Sequence, residues 1–403
     1  MKNNLDVNSK VNLTKLLAEL VLPISQEFNP DDLEQCDKFK LIELANKNYM
    51  NFALYQGLVK NELLSYFTAE QIEYLKEFYE LNEQRNRGFL SELRDIILVL
   101  NKSDIEPVLL KGAVALVDNW YDGMGARFMR DIDFLVPEHQ VDETYKILKD
   151  IGYQEVHEDE SHDYEGDGHD SHHHCPALQK PDSALVIEVH SKPLSIKTKG
   201  VLSSKEVFKH KCQVTNLDIG RCHIPSATHC LMIAILHTEI SHGNRGKGVF
   251  FLRHAMDVAI ILSHYKKIDF YSTESAFKLF GFKDLLSSYL FVLNSFFKIQ
   301  SQQDFTLYMS KSDDHLATVL KNMSHESSTK RFAFDFYKKV TIGSFSKESI
   351  SSRYGVKSTA AIYYFRLVNF GRLLAKYSVK TNWDIKNRII ESETNVVKLI
   401  GEK

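Results

Sequence analysis

Apolar residues recur at three- and four-residue spacing in two early stretches, residues 69–79 (Ile72, Leu75, Phe78) and 89–100 (Phe89, Leu93, Ile96, Ile97, Leu100). That period lines up one face of an α-helix, so residues 1–103 are expected to form a mostly helical N-terminal region. The pattern then changes. Val108-Leu109-Leu110 is a short apolar run that breaks at Gly112 and continues into the helix-compatible Ala113-Val114-Ala115-Leu116. Further on, Ile132, Phe134 and Val136 alternate with Asp131 and Asp133, and Leu185, Ile187 and Val189 alternate with Glu188 and His190. Period-two alternation is the signature of strands. Strands mixed with helical runs over residues 104–224 predict a small α/β core with a mixed sheet. Helical spacing returns in residues 228–237 and 251–262, so residues 225–403 are expected to be a C-terminal helical region. The expected fold class is α+β, a small mixed-sheet core flanked by N-terminal and C-terminal helical parts.

The two strands bring the chemistry with them. On a strand, Asp131 and Asp133 point the same way, and two neighbouring carboxylates repel unless a cation sits between them. Glu188 offers a third carboxylate from a second strand. Three such groups suit a divalent ion, and Mg²⁺ typically takes one or two carboxylates together with substrate phosphates. Upstream, the turn at Lys111-Gly112 opens a helix, where backbone N–H groups and an ammonium favour an anion. An Asp-x-Asp by itself is weak in a chain with 53 acidic residues; the order of the surrounding blocks gives it weight.

Those blocks are Leu110-Lys111-Gly112, Arg127 ahead of Asp131-Ile132-Asp133, a helix ending near Gly152-Tyr153, His173-His174-Cys175-Pro176-Ala177-Leu178, and Glu188-Val189-His190. In this order, over roughly residues 85–260, the chain resembles the bacterial uncharacterised nucleotidyltransferases of the DNA polymerase β superfamily. The resemblance implies a nucleotidyltransferase core at 104–224 that moves a nucleoside monophosphate from an NTP to a hydroxyl, releasing pyrophosphate, by a two-metal mechanism with Mg²⁺ or Mn²⁺. Asp131, Asp133 and Glu188 are then expected as catalytic and metal-holding residues, and Lys111, Gly112, Arg127, Arg130, His174 and His190 as nucleotide-binding ones. His237, His242 and Asp257 fall where the family has a His-rich turn and an Asp, and are weaker candidates. Two departures stand out. The phosphate turn reads Lys111-Gly112-Ala113 and offers no hydroxyl, and Ser191 follows His190 where Trp is frequent. The acceptor, whether RNA, protein or small molecule, is not legible. The rival expectation is a catalytically inactive nucleotide-binding or interaction protein with the same fold.

Composition narrows the setting. The chain has 403 residues, 43% hydrophobic, enough for a sizeable core and two or three domains by length. No apolar run approaches the roughly 18 residues of a membrane helix, and Met1-Lys2-Asn3-Asn4-Leu5-Asp6 lacks the apolar segment of a secretory signal. Cys36, Cys175, Cys212, Cys222 and Cys230 have no Cys-x-x-Cys spacing, so reduced thiols, a cytoplasmic location and no membrane partner are expected. The net charge of −3 is uneven. Residues 155–170 hold eight acidic residues and no Lys or Arg, whereas residues 330–403 hold fifteen Lys and Arg against six Asp and Glu. The acidic, His-rich stretch ending at Cys175 lacks an ordered zinc-ligand spacing and reads better as an active-site loop. The basic tail reads first as a helical layer with solvated lysines, and second as a nucleic-acid contact.

Overall fold

The computed structural model describes residues 7–22, 28–156, 175–181, 183–215, 217–299, 301, 303–309 and 314–324. His173, His174 and the rest of the acidic, His-rich stretch lie outside the described residues, as does the basic tail. The chain opens with helices α1 (Lys10–Leu20), α2 (Pro30–Gln35), α3 (Lys38–Lys47) and α4 (Asn51–Lys60). Each of the first three starts on a side chain that accepts a backbone N–H: Ser9, Asn29 and Asp37. The next helix, α5, runs unbroken over Ala69–Asn101, joining the two periodic stretches into one rod of roughly 50 Å. Thr68 and Gln71 cap it reciprocally.

Apart from the capping Gln71, the buried stripe of α5 is apolar except at its middle, where Asn82, Arg85 and Asn86 occupy core spacing. Their donors hold backbone carbonyls of the segment that leads into the Asp-x-Asp strand. Asn82 donates to Gly125 (2.8 Å) and Arg127 (3.0 Å), Asn86 to Met124 (2.7 Å) and Arg127 (2.9 Å), and Arg85 to Met129. A buried loop must find partners for its carbonyls, and this polar trio supplies them.

The central elements follow as β1 (Val108–Leu110), α6 (Gly112–Val117), β2 (Asp131–Leu135), α7 (Val141–Asp150), β3 (Gln154–Glu155), β4 (Leu178–Gln179), β5 (Val186–His190), α8 (Ser204–Lys209), β6 (Cys212–Gln213) and β7 (His223–Ile224). The strands form one mixed sheet in the order β3-β4-β5-β2-β1-β7-β6. Two registers matter. β2 runs parallel to β5 with Asp133 beside Glu188, and antiparallel to β1 with Asp133 beside Leu110. Ile132, Phe134, Ile187 and Val189 are buried, so the predicted alternation holds on both strands.

Beyond the sheet come α9 (Ala227–Leu236), which continues into a π-helical turn (His237–Ser241), then α10 (Asn244–Lys247), α11 (Leu252–His264), α12 (Phe270–Leu279), α13 (Leu285–Phe297) and α14 (Asp314–Ser324). α1 packs against α13 and α14, which brings the first and last described helices together. A contiguous cluster of buried apolar side chains links all three predicted parts, from Leu13 to Val319. Among the described residues no helix is long and apolar enough to cross a membrane.

Candidate active site

The centre of the sheet positions the carboxylates. Asp131, Asp133, Glu188 and His190 alternate with core residues on two paired strands, so all four share one face. His190 Nε2 lies 2.8 Å from Asp133 Oδ1 and 3.3 Å from Glu188 Oε2. Lys111 Nζ donates to the same Asp133 oxygen at 2.6 Å. Asp133, Glu188 and His190 each offer an atom within 4.8 Å of the others, a spacing that fits a shared ion. Asp131 is not part of that trio. It stands two residues earlier on the same face, close enough to interact electrostatically with Asp133, Glu188 and Lys111.

The two aspartates differ in charge environment. Burial, followed by Asp133 and Glu188, pushes the Asp131 carboxyl up to about 6. Burial acts on Asp133 too, but Lys111 and His190 overcome it and hold that carboxyl well below the usual range. Burial would lower His190, yet its bonds to Asp133 and Glu188 raise it, and the surrounding carboxylates likewise raise the buried Lys111.

The phosphate turn differs from expectation in a specific way. The positive φ falls on Lys111 (φ 49°, ψ −119°) and not on Gly112. Gly112 is required for another reason. A Cβ there would meet Arg127 Nη1 at 2.5 Å and Met129 Sδ at 3.1 Å. Arg127 is itself engaged: its Nε and Nη2 donate to Asp257 Oδ1 and Oδ2 at 2.8 and 2.7 Å, and the Tyr121 hydroxyl donates to the same carboxylate at 2.5 Å. Burial opposes ionisation of Asp257, but Arg127 prevails and lowers its pKa. Arg127 and Asp257 thus tie the loop before β2 to α11.

Residues 35–298, from the end of α2 to the end of α13, match the model of a family described as an uncharacterised nucleotidyltransferase. The chain belongs to that family. Nucleotidyl transfer is accordingly its general activity, and Asp133, Glu188 and His190 form a group that could hold a metal ion. No curated protein matches the chain.

The nucleotidyltransferase carries further groups around this face. Arg130 is exposed, donates to the Tyr49 hydroxyl at 2.8 Å, and lies 5.3 Å from the centre of its ring. His237 and His242 face each other with Nε2 atoms 3.0 Å apart, and His254 lies beside both. Burial, then the charge of Lys111, lowers His237 and His242, while burial and Arg253 take His254 down to about 3. All three are therefore neutral imidazoles at neutral pH. The π-helical turn that carries His237 is a geometry found preferentially at functional sites. Sequence reasoning missed Tyr49, Arg85, His254 and Arg253. The signal for Arg85 was present, because a charged residue at core spacing in an amphipathic helix demands a buried partner.

Proposed function

We propose that this nucleotidyltransferase moves an NMP from an NTP to a hydroxyl acceptor with release of pyrophosphate, by the two-metal chemistry of the DNA polymerase β superfamily. The observation that carries the reading is the register that sets Asp133 beside Glu188, with His190 against both and Asp131 on the same face. The carboxylates fit a hard divalent cation: Asp133 and Glu188 stand at ligand spacing with the His190 imidazole against both, and a third carboxylate, Asp131, lies on the same face. Asp133 and Glu188 would hold Mg²⁺ or Mn²⁺, with Asp131 beside them. Bound there, the ion supplies charge neutralisation at the oxygens of the phosphoryl group.

The chain's own residues do the rest. The acceptor oxygen attacks the α-phosphorus, the bond to the bridging β-phosphate oxygen breaks, and pyrophosphate leaves with that electron pair. Glu188, the more accessible carboxylate of the trio, accepts the acceptor's proton. Lys111, which bonds Asp133, would offer its ammonium to a phosphate oxygen. His190 fixes the orientation of Asp133. Arg130 and, outside the described residues, His174 complete the nucleotide contacts in this reading. The acceptor is an RNA end, a protein side chain or a small molecule, and the setting is the cytoplasm.

Incubation with each α-³²P-labelled NTP, Mg²⁺ and cell extract tests the function. Label should move to one fraction with the wild type, and Glu188→Gln should lower its rate at least 100-fold. Wild type that binds NTP but labels nothing would favour the inactive nucleotide-binding alternative.

A further inference from the structure

The guanidinium groups around the carboxylate face are of two kinds. Arg127 is paired bidentately with Asp257. Arg85, Arg130 and Arg253 have no carboxylate within ion-pair distance among the described residues; their contacts are a carbonyl, a hydroxyl, an imidazole and aromatic rings. Arg253 sits in the first turn of α11, a helix with no side-chain cap, and is half-buried. Burial and the neighbouring Arg127 disfavour its charge, and Asp257 and Asp131 partly offset them.

Tyr49 organises this group. The guanidinium carbons of Arg130 and Arg253 lie 5.3 and 5.6 Å from the centre of its ring. The ring stacks on Phe128 at 5.2 Å and 8°, and Phe128 stacks on Phe52 at 5.6 Å and 7°. Arg85 lies 4.8 Å from the Phe128 ring. Tyr49 itself has φ 54°, a conformation that costs a non-glycine residue free energy and persists only where the surroundings enforce it. An aromatic column thus holds several guanidiniums together although they repel one another. Cation–π contact offsets part of that repulsion, and a polyanion would remove the remainder.

We propose that Arg253 and Arg130, mounted on Tyr49, seat the β- and γ-phosphates of the nucleotide and the pyrophosphate that leaves, while Arg127 holds the fold. The inference rests on the nucleotidyl-transfer reading for the identity of the ligand. Its geometry is independent of it: planar guanidiniums present paired donors that match phosphate oxygens, and here they converge beside Asp131, which feels both Arg85 and Arg253.

Calorimetry on the full chain with Mg²⁺ provides the test, using inorganic tripolyphosphate, an α,β-methylene NTP and the corresponding nucleoside. Arg253→Gln should weaken the NTP analogue and tripolyphosphate at least tenfold, leave the nucleoside within twofold, and melt no lower than wild type, because it removes a repelled cation. Arg253→Lys, which keeps the charge but not the paired donors, should fall between them. Equal triphosphate affinity in wild type and both variants would overturn the proposal while leaving nucleotidyl transfer intact. Arg253-dependent tripolyphosphate binding without any labelled transfer product would uphold the anion seat and remove the enzymatic reading. Wild type that binds no triphosphate would overturn both.

Discussion

The Arg127–Asp257 and Lys111–Asp133 ion pairs are both withdrawn from solvent, and they are built differently. In Arg127–Asp257 the two charges meet through two parallel bonds, a tyrosine hydroxyl completes the carboxylate, and both groups are almost withdrawn from solvent. In Lys111–Asp133 a single ammonium faces one carboxylate that also binds His190, with Glu188 and Asp131 close by. The first pair is closed and balanced. The second is surrounded by further carboxylates, and burial together with Asp133 and Glu188 raises the Asp131 carboxyl to about 6. A pair that satisfies itself fixes structure, whereas a cluster with carboxylates left over has a use for a ligand. By that contrast Arg127, which the family resemblance places against the nucleotide, is engaged bidentately with Asp257.

The sharpest way to break the comparison is to open the balanced pair. Asp257→Asn should leave Arg127 buried without its counter-charge and cost about 3–5 kcal/mol of stability. Urea unfolding would read this, and a loss below about 1 kcal/mol would mean that solvent or another group compensates Arg127. A smaller perturbation reaches the same pair from the turn. Gly112→Ala places a methyl where Arg127 Nη1 now lies, 2.5 Å from the ideal Cβ. The guanidinium must shift off Asp257, for an expected loss of about 1–3 kcal/mol, and combining the change with Asp257→Asn should give less than the sum.

The unbalanced cluster should respond with the opposite sign. Asp131 has a folded-state pKa raised above the ordinary carboxylate value, so between about pH 4 and 6 the folded chain binds more protons than the unfolded one. Stability from this group is fully present below the ordinary value and is lost as pH rises through 6. Asp131→Asn removes that loss. The variant should therefore gain on wild type across this interval, by roughly 1 kcal/mol or more, and stay level above it. Thermal melts at pH 4, 5, 6 and 7 without divalent ions would show it. Parallel pH profiles for the two proteins would mean that Asp131 is ionised freely.

Much of the site could be read from alternation. Period two in Asp131-Ile132-Asp133-Phe134 and in Leu185 to His190 puts each candidate side chain on the face opposite the apolar core residues, and pairing of the strands then has one register that keeps both apolar faces buried. The helical flanks were legible for the same reason, with one exception: residues 80–88 interrupt the apolar period and hide that α5 is continuous. What remained hidden depends on contacts between distant segments. Nothing local to Gly112 says that its missing side chain makes room for Arg127, and nothing near Tyr49 announces Arg253, about 200 residues later. Lys111 taking the positive φ in place of the neighbouring glycine is also invisible to pattern, since propensity alone favours Gly112.

The polar trio on α5 fixes an angular phase. Successive helix residues turn by about 100°, so one residue inserted between Leu75 and Asn82 would swing Asn82, Arg85 and Asn86 away from the carbonyls of Met124, Gly125, Arg127 and Met129, or else turn the first half of the rod off its neighbours. An insertion of seven residues, close to two whole turns, would restore the angle while lengthening the rod by about 10 Å. The spacing between the first helices and the segment that feeds the Asp-x-Asp strand can therefore vary only in steps of whole turns. The length of this helix is quantised by the loop it carries.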